Sequence, residues 1–206
     1  MAVISQIKAT SDNVNYNIRD DYSTWGGRNL VYNTRFLSAT PPAPWVNWGS
    51  PTTREVVEIN GINYMHLVST TTKWQGYSQN SVQRGGYGDV TAGDLVIVSF
   101  DAYAKTAGQT CCIGIHWNKN DGSIISQSWY NPALTTTSTR YISPIFTVPA
   151  NCVGFNLMIG SNSETADEIW MAKIKAEKGT KTTDWSPAPE DIARFIGDET
   201  IELYSE

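Results

Sequence analysis

Leu95-Val96-Ile97-Val98-Ser99-Phe100-Asp101-Ala102-Tyr103-Ala104-Lys105 decides the fold class. Val96, Val98, Phe100, Ala102 and Ala104 take alternate positions, with Ser99, Asp101, Tyr103 and Lys105 between them. Neighbouring side chains of an extended strand point to opposite faces, so this segment is a strand with one face in a core and the other in water. A helix would scatter the same apolar residues around its circumference.

Working outward, the same period recurs. Cys111, Ile113, Ile115 and Trp117 form one parity, with Cys112, Gly114, His116 and Asn118 on the other. Val153, Phe155, Leu157 and Ile159 form a third core row, leaving Asn156 and Met158 outside. In the run from Trp74 to Gln83, Val82 places Trp74 with the core and Tyr77, Gln79 and Gln83 outside. Further runs cover Asn29 to Phe36, Arg54 to Ile59, Tyr64 to Val68, Ile124 to Trp129, Arg140 to Val148 and Glu168 to Glu177, separated by turn residues. A Pro-rich loop at Pro41, Pro42 and Pro44 carries Trp45 and Trp48 behind it. Many short alternating runs between turns predict an all-β antiparallel sandwich. If these strands are neighbours, the outer surface gathers Tyr77, Gln79, Asp101, Tyr103, His116, Asn118 and Asn156.

The ends stand apart. Residues 1–27 carry Val3, Ile4 and Ile7, the turn Ser11-Asp12-Asn13, and alternating Val14, Tyr16 and Ile18, which predicts a short N-terminal hairpin. Residues 28–186 form the sandwich domain. In 187–206, Pro187, Pro189, Glu190 and Asp191 precede Ile192, Phe195 and Ile196, a proline-and-acid start that predicts a short C-terminal helix.

Composition narrows the partners. The chain has 206 residues, enough for one core, and a formal charge of −5 with no Lys/Arg cluster, so a phosphate-binding groove is not expected and nucleic acid is not a partner. No apolar run approaches the roughly 20 residues needed to cross a bilayer. Three cysteines, two of them adjacent, suit reduced thiols better than a disulfide framework. Eight Trp and ten Tyr among many Thr, Ser, Asn and Gly suit strands and stacking surfaces.

Catalytic signatures are missing. His66 and His116 are the only histidines, and there is no Gly-x-Ser-x-Gly or His-Glu-x-x-His. A glycosidase would need two carboxylates distant in sequence, and candidates such as Asp89, Asp94 and Asp101 have plainer uses at strand starts and faces. The expectation is a protein that is not an enzyme. Asn118-Lys119-Asn120-Asp121-Gly122 lacks the remaining ligands of a calcium loop and reads as an Asn/Asp-Gly turn between strands. Arg84-Gly85-Gly86-Tyr87-Gly88-Asp89 lacks the Lys-Ser/Thr of a phosphate loop and reads as a surface loop.

Several stretches resemble one family. Arg28-Asn29-Leu30-Val31-Tyr32-Asn33-Thr34-Arg35-Phe36 is similar to the opening strand of carbohydrate-binding jelly-roll modules, with its Asn-Leu pair, then Asn, then Phe. Gly93 to Lys105 resembles their Gly-x-x-Tyr-x-x-Ser-Phe-x-Ala-Lys strand, with Val96 or Leu95 in place of the Tyr. Lys175-Ala176-Glu177-Lys178-Gly179 followed by Thr183-Asp184-Trp185-Ser186-Pro187-Ala188-Pro189-Glu190-Asp191 closely resembles the close of such modules in tail, baseplate and tail-fibre proteins of phages of Gram-positive bacteria. Ile7 to Asp20 resembles the first residues of phage tail appendages.

The resemblance implies a carbohydrate-binding-module-like jelly roll in the virion, made in the bacterial cytoplasm, that binds host cell-surface polysaccharide and aids adsorption. Other tail or baseplate proteins are implied partners, as is self-association into a homo-oligomer. Many relatives hold a structural calcium through a carboxylate on the last strand. Ile169-Trp170-Met171-Ala172-Lys173 has no acid there, which puts calcium in doubt and leaves no cofactor expected. Sugar recognition needs flat apolar faces for C–H surfaces and oriented polar groups for hydroxyls. Tyr77, Tyr103, Trp129 and Tyr130, with Gln79, Asp101, His116, Asn118 and Asn156, are the candidates. The competing expectation is a purely structural tail component docked through its ends; a glycosidase ranks third.

Overall fold

The computed structural model describes residues 27–37, 45–80, 90–188 and 191. The strands are β1 (Val46–Trp48), β2 (Thr53–Ile59), β3 (Ile62–Val68), β4 (Gln75–Asn80), β5 (Leu95–Ala104), β6 (Cys111–Asn118), β7 (Ile124–Tyr130), β8 (Thr139–Ile142), β9 (Phe146–Thr147), β10 (Gly154–Ser161) and β11 (Glu168–Lys178). They form two antiparallel sheets, one of five strands in the order β1-β4-β10-β6-β7 and one of six in which β2-β3-β11-β5-β8 is the path and β9 pairs β5. The expected N-terminal hairpin and C-terminal helix lie outside the described residues.

The core lies between the sheets, where the alternation puts it. Val96, Val98, Phe100, Ala102 and Ala104 on β5 are buried against Ile113, Ile115 and Trp117 on β6 and Phe155, Leu157 and Ile159 on β10. Each fully buried aliphatic or Phe side chain contributes about 1.5–3 kcal/mol. Val153 departs from its predicted row: it precedes β10 and is exposed, its N–H donating to the Asn118 carbonyl. All three cysteines are free and buried, and burial pushes the Cys111 and Cys112 thiols up.

Three local predictions fail for identifiable reasons. Residues 29–36 do not form a strand. Asn33 and Phe36 have positive φ (45° and 50°), and the Asn33 side chain holds Leu37 through both its amide oxygen and nitrogen, competing with a ladder. The run from Arg140 to Val148 splits into β8 and β9 because Pro144 has no N–H; beside it, Ser143 Oγ accepts from the Val98 N–H. Val46–Trp48 is a strand that the adjacent Pro-rich stretch hides, pairing with β4 at Trp48↔Gly76.

The opening and closing segments knit together. Buried Asn29 donates to the Thr34 hydroxyl and the Ile174 and Ser186 carbonyls, and accepts from the N–H groups of Val31 and Ala176. Trp185 donates its indole N–H to Thr34 Oγ1, and both Asp191 carboxylate oxygens accept from the Asn33 N–H. Lys175 (2% exposed) and Glu177 (1%) are paired at 3.6 Å on β11. Lys175 donates to Thr183 Oγ1 and the Asp184 carbonyl, while Glu177 accepts from the Thr183 N–H and hydroxyl. Burial holds the Lys175 ammonium below the usual lysine range despite Glu177 beside it. The residues that carry the family resemblance are therefore the parts of a clasp.

Candidate functional site

Pairing registers settle which way each side chain points. On the five-stranded sheet, Tyr77, Ile159, Ile113 and Tyr130 share one row, and Gln79, Leu157, Ile115 and Ser128 another, both facing the core. Between them run the outward rows: Trp48, Gly76, Gly160 and Cys112, then Val46, Ser78, Met158, Gly114 and Trp129, then Asn156, His116 and Gln127.

This register corrects the predicted surface. Tyr77 is 0% exposed and belongs to the core, with the Arg54 guanidinium 5.7 Å from its ring centroid and no partner for its buried hydroxyl. Burial raises its pKa to about 12. Gln79 is buried too, its amide bracketing Tyr32 by accepting from the backbone N–H and donating to the carbonyl. Trp74, expected inside, lies outside and is 37% exposed. The parity of this run was read from Val82, beyond the end of β4, while Trp74 precedes β4 with φ 65°. Trp74 shares its outward side with Gly76 and Ser78, so the alternation holds along the run and only its phase, taken from Val82, is inverted.

Other predicted residues fall on the wrong side or in the wrong sheet. Tyr130 faces inward and packs on the core edge-on to Phe100. Asn118 is buried, its side chain donating to the Gly122 carbonyl and fixing the β6–β7 turn, where Gly122 has φ 82°. The Asn/Asp-Gly turn is thus as expected. Asp101 and Tyr103 sit on β5, in the opposite sheet from His116 and Asn156, so the single predicted surface is two. Asp101 is engaged by Lys173 (3.2 Å) and Arg140 (3.7 Å).

Tyr103 belongs to an aromatic ladder on the six-stranded sheet. His66, Trp170 and Tyr103 stack in succession across β3, β11 and β5 at 4.8 and 4.7 Å, with interplanar angles of 11° and 6°. Tyr64 meets Tyr103 edge-on. The His66 ring nitrogens lie 2.8 Å from Glu55 and 3.1 Å from Glu168, and Lys105 bonds the far oxygen of Glu168. Lys105, and then His66, hold the Glu168 carboxyl below the usual range. Rings stacked on one another occupy their own faces, so this ladder offers mainly edges to a ligand.

The other outer face offers ring faces. Trp48 on β1 and Trp129 on β7 come from opposite edges of the five-stranded sheet, four strand spacings or roughly 19 Å apart. Their ring centroids are nevertheless 6.3 Å apart at an interplanar angle of 24°. Both side chains therefore lie down across the middle strands. Trp74 completes the group, 4.5 Å from Trp129 and 6.2 Å from Trp48, and His116 meets Trp129 edge-on at 5.7 Å.

Glycines make this possible. A Cβ at Gly114 would overlap ring atoms of Trp129, so the indole lies directly on that backbone. A Cβ on Gly76 would overlap the Ile159 carbonyl oxygen, and one on Gly160 the Gln75 carbonyl oxygen. Cys112 and Met158 face outward yet are buried, so a second apolar layer lies on this face, outside the core proper. The positive φ of Trp74 costs on the order of 1–2 kcal/mol, which the ring contacts offset, and its N–H donates to the Ser161 carbonyl.

Polar groups border the tryptophans. The Trp129 indole N–H donates to exposed Gln127, Asn156 Oδ1 is buried without a donor, and burial lowers the His116 pKa. Beside Trp74 lies a polar cavity of about 430 Å³ lined by Lys73, Gln109, Asn162, Ser163, Glu164 and Thr165 among others. Lys73 and Glu164 are paired there at 2.7 Å, and Asn162 Oδ1 is buried without a donor. Among the described residues, no group of three or more His, Cys, Asp or Glu is placed to hold a metal ion.

Of the nine predicted residues, His116, Trp129 and Asn156 share this face. Trp48 and Trp74 were missed as candidates, although the sequence shows each next to a turn signal, Gly49 and the Ser69–Thr72 run.

No protein-family model matches the chain, and no curated protein does. Solved structures are similar in fold. The bacteriophage CBA120 tailspike protein 4 enzymatically active domain has a TM-score of 0.55 at 15% identity, covering 73% of this chain and 21% of that one. The CBM22-1 xylan-binding domain of Paenibacillus barcinonensis Xyn10C has a TM-score of 0.53 at 12% identity, covering 77% of this chain and 98% of that one. A family 16 carbohydrate-binding module gives 0.52 at 14%, covering 72% and 99%. The chain thus spans about a fifth of the tailspike domain and nearly the whole of the two binding modules. Its fold is an all-β, two-sheet sandwich like the jelly rolls of carbohydrate-binding modules.

Proposed function

We propose that this chain is a non-catalytic saccharide-binding module of a phage tail or baseplate, and that its tryptophan-bearing face holds host cell-surface polysaccharide. The observation that carries the reading is the meeting of Trp48 and Trp129 from opposite sheet edges, with Trp74, the Trp129 indole lying directly on Gly114. Flat, part-exposed indoles suit the C–H faces of sugar rings, and His116, Gln127 and Asn156 are in place for hydroxyls. The fold likeness to xylan-binding and other carbohydrate-binding modules supports a sugar ligand. The phage setting draws support from the closing-motif resemblance and from the tailspike neighbour. A binding rather than hydrolytic role is supported by the absence of Asp and Glu from every strand of this sheet, since glycoside hydrolysis ordinarily needs two carboxylates flanking the bond.

The test is retention of the purified chain on Gram-positive cells and their extracted wall polysaccharides. Saturable binding that free sugars compete away is expected, weakened about tenfold or more by Trp48→Ala or Trp129→Ala, since 1.4 kcal/mol corresponds to tenfold. Tyr103→Ala, on the opposite sheet, leaves it unchanged. Folded Trp48→Ala and Trp129→Ala proteins that bind like the parent would sink the proposal.

A purely structural tail component is the second reading. It is favoured by one observation: Lys175, Glu177 and Trp185, which carry the phage resemblance of the closing segment, are occupied in the clasp. Normal virion assembly with unaltered adsorption by a Trp48→Ala/Trp129→Ala phage would favour it.

A further inference from the structure

Charge is divided completely between the two sheets. No Asp, Glu, Lys or Arg occurs in β1, β4, β10, β6 or β7; His116 is the one titratable residue there apart from tyrosines and cysteines. Every Asp, Glu, Lys and Arg that lies in a strand lies in the six-stranded sheet, from Arg54 and Glu55 to Lys178. The cavity beside Trp74 follows the same rule, because its ammonium and carboxylate, Lys73 and Glu164, are spent on each other.

We infer that the ligand of the tryptophan face is an uncharged glycan, selected against phosphate-bearing and uronate-bearing wall polymers. The inference deepens the saccharide-binding reading and rests on it. An anionic polymer laid on this face would meet no Lys or Arg in the strands beneath it, and the described cations at its rim are committed, Arg54 to the Trp48 and Gly49 carbonyls and Lys73 to Glu164; desolvating an unpaired charge is costly. A hydroxyl suffers no such penalty. Asn156 and Asn162 are part-exposed neutral amides whose Oδ1 atoms have no donor; turned to the surface they accept from sugar O–H groups, whereas a phosphate or carboxylate supplies only more acceptors. Lowering of the His116 pKa by burial keeps that ring uncharged near neutrality as well.

The experiment compares wild type with Trp129→Ala in affinity electrophoresis and calorimetry, and counts only Trp129-dependent binding. The probes are neutral glucans, galactans and xylans on one side, polygalacturonate and wall teichoic acid on the other, each at low salt and at about 1 M NaCl, where the screening length falls to about 3 Å. Trp129-dependent binding confined to neutral polymers, and constant within about two-fold across salt, is the expected result. Trp129-dependent binding to an anionic polymer that salt weakens overturns the inference while leaving the saccharide-binding reading standing. Loss of Trp129-dependent binding to both classes overturns that reading, and the inference with it.

Discussion

Gly114→Ala tests the tryptophan face without touching a tryptophan. The added Cβ would overlap Trp129 Cζ3, Cε3 and Cη2, all ring atoms of a side chain that is half-exposed and can lift. Lifting breaks contacts of Trp129 with Trp74 at 4.5 Å, His116 at 5.7 Å and Trp48 at 6.3 Å. Aromatic pairs contribute about 0.5–1.5 kcal/mol each beyond area, and overpacking typically costs about 1–3 kcal/mol. Because the ring can yield, a loss of about 1–3 kcal/mol is expected, which at about 2–4 °C per kcal/mol lowers Tm by roughly 2–12 °C. Near-UV circular dichroism should show the coupled indole signal collapse, and polysaccharide affinity should fall about tenfold or more. Gly76→Ala is the contrast: its Cβ would overlap the Ile159 carbonyl oxygen and approach the Gly160 Cα, backbone that cannot move aside, so it should yield little folded protein. A Gly114→Ala protein with unchanged near-UV signal, Tm and polysaccharide retention would refute the idea that an indole laid on bare backbone organises this face.

Other outcomes follow from the same geometry. Asn29→Ala strips a buried side chain of its five hydrogen-bond links and should cost about 2–4 kcal/mol in urea unfolding; a loss under about 0.5 kcal/mol would show that the clasp is dispensable. Tyr77→Phe removes a buried hydroxyl with no partner, so Tm should hold or rise and saccharide retention stay constant; a clear drop in retention would return Tyr77 to the site. Glu177→Gln leaves the Lys175 ammonium buried without its counter-charge and should destabilise by about 3–5 kcal/mol at neutral pH, measured by denaturant midpoint. His116 has a folded pKa below its unfolded value of 6.5, so the unfolded state binds more protons between the two. Stability is therefore full above about pH 6.5 and declines as pH falls toward the folded pKa. His116→Gln should flatten that stretch of the Tm–pH profile; an unchanged slope would assign it to another group.

What the sequence revealed depended on how many residues voted for each parity. On β5, five small or apolar residues take alternate positions, opposite a parity that turns polar from Ser99 on, and every one of the five points inward as expected. On β4 the choice hung on Val82, and Gly76 and Ser78, the true outward residues, carry no signal of their own. That single vote puts Tyr77 and Gln79 outside and Trp74 inside, and the structure inverts all three together with the alternation itself intact. Pairing of sheets was beyond the alternation altogether: β5 and β6 have the same pattern and lie in opposite layers, which separates Tyr103 from His116. Glycine was the other obstacle. In a strand pattern it suggests a bulge or close backbone approach, but only the register shows Gly76 and Gly160 side by side, with an indole reaching Gly114 from the next strand.

The clasp residues and the candidate ligand surface turn out to be different residues. Asn29, Lys175, Glu177 and Trp185 bind the opening segment and the close to the six-stranded sheet, a task set by the fold and indifferent to any ligand. Trp48, Trp74, Trp129 and His116 occupy the five-stranded sheet and contribute nothing to the clasp. The residues that close the sandwich can therefore stay fixed while the opposite face changes. This division also explains the charge pattern. Ion pairs such as Lys175–Glu177 and Lys105–Glu168 are concentrated where segments must be held in register, and the strands of the five-stranded sheet, which meet the opening segment only through the neutral Gln79 amide, carry no Asp, Glu, Lys or Arg.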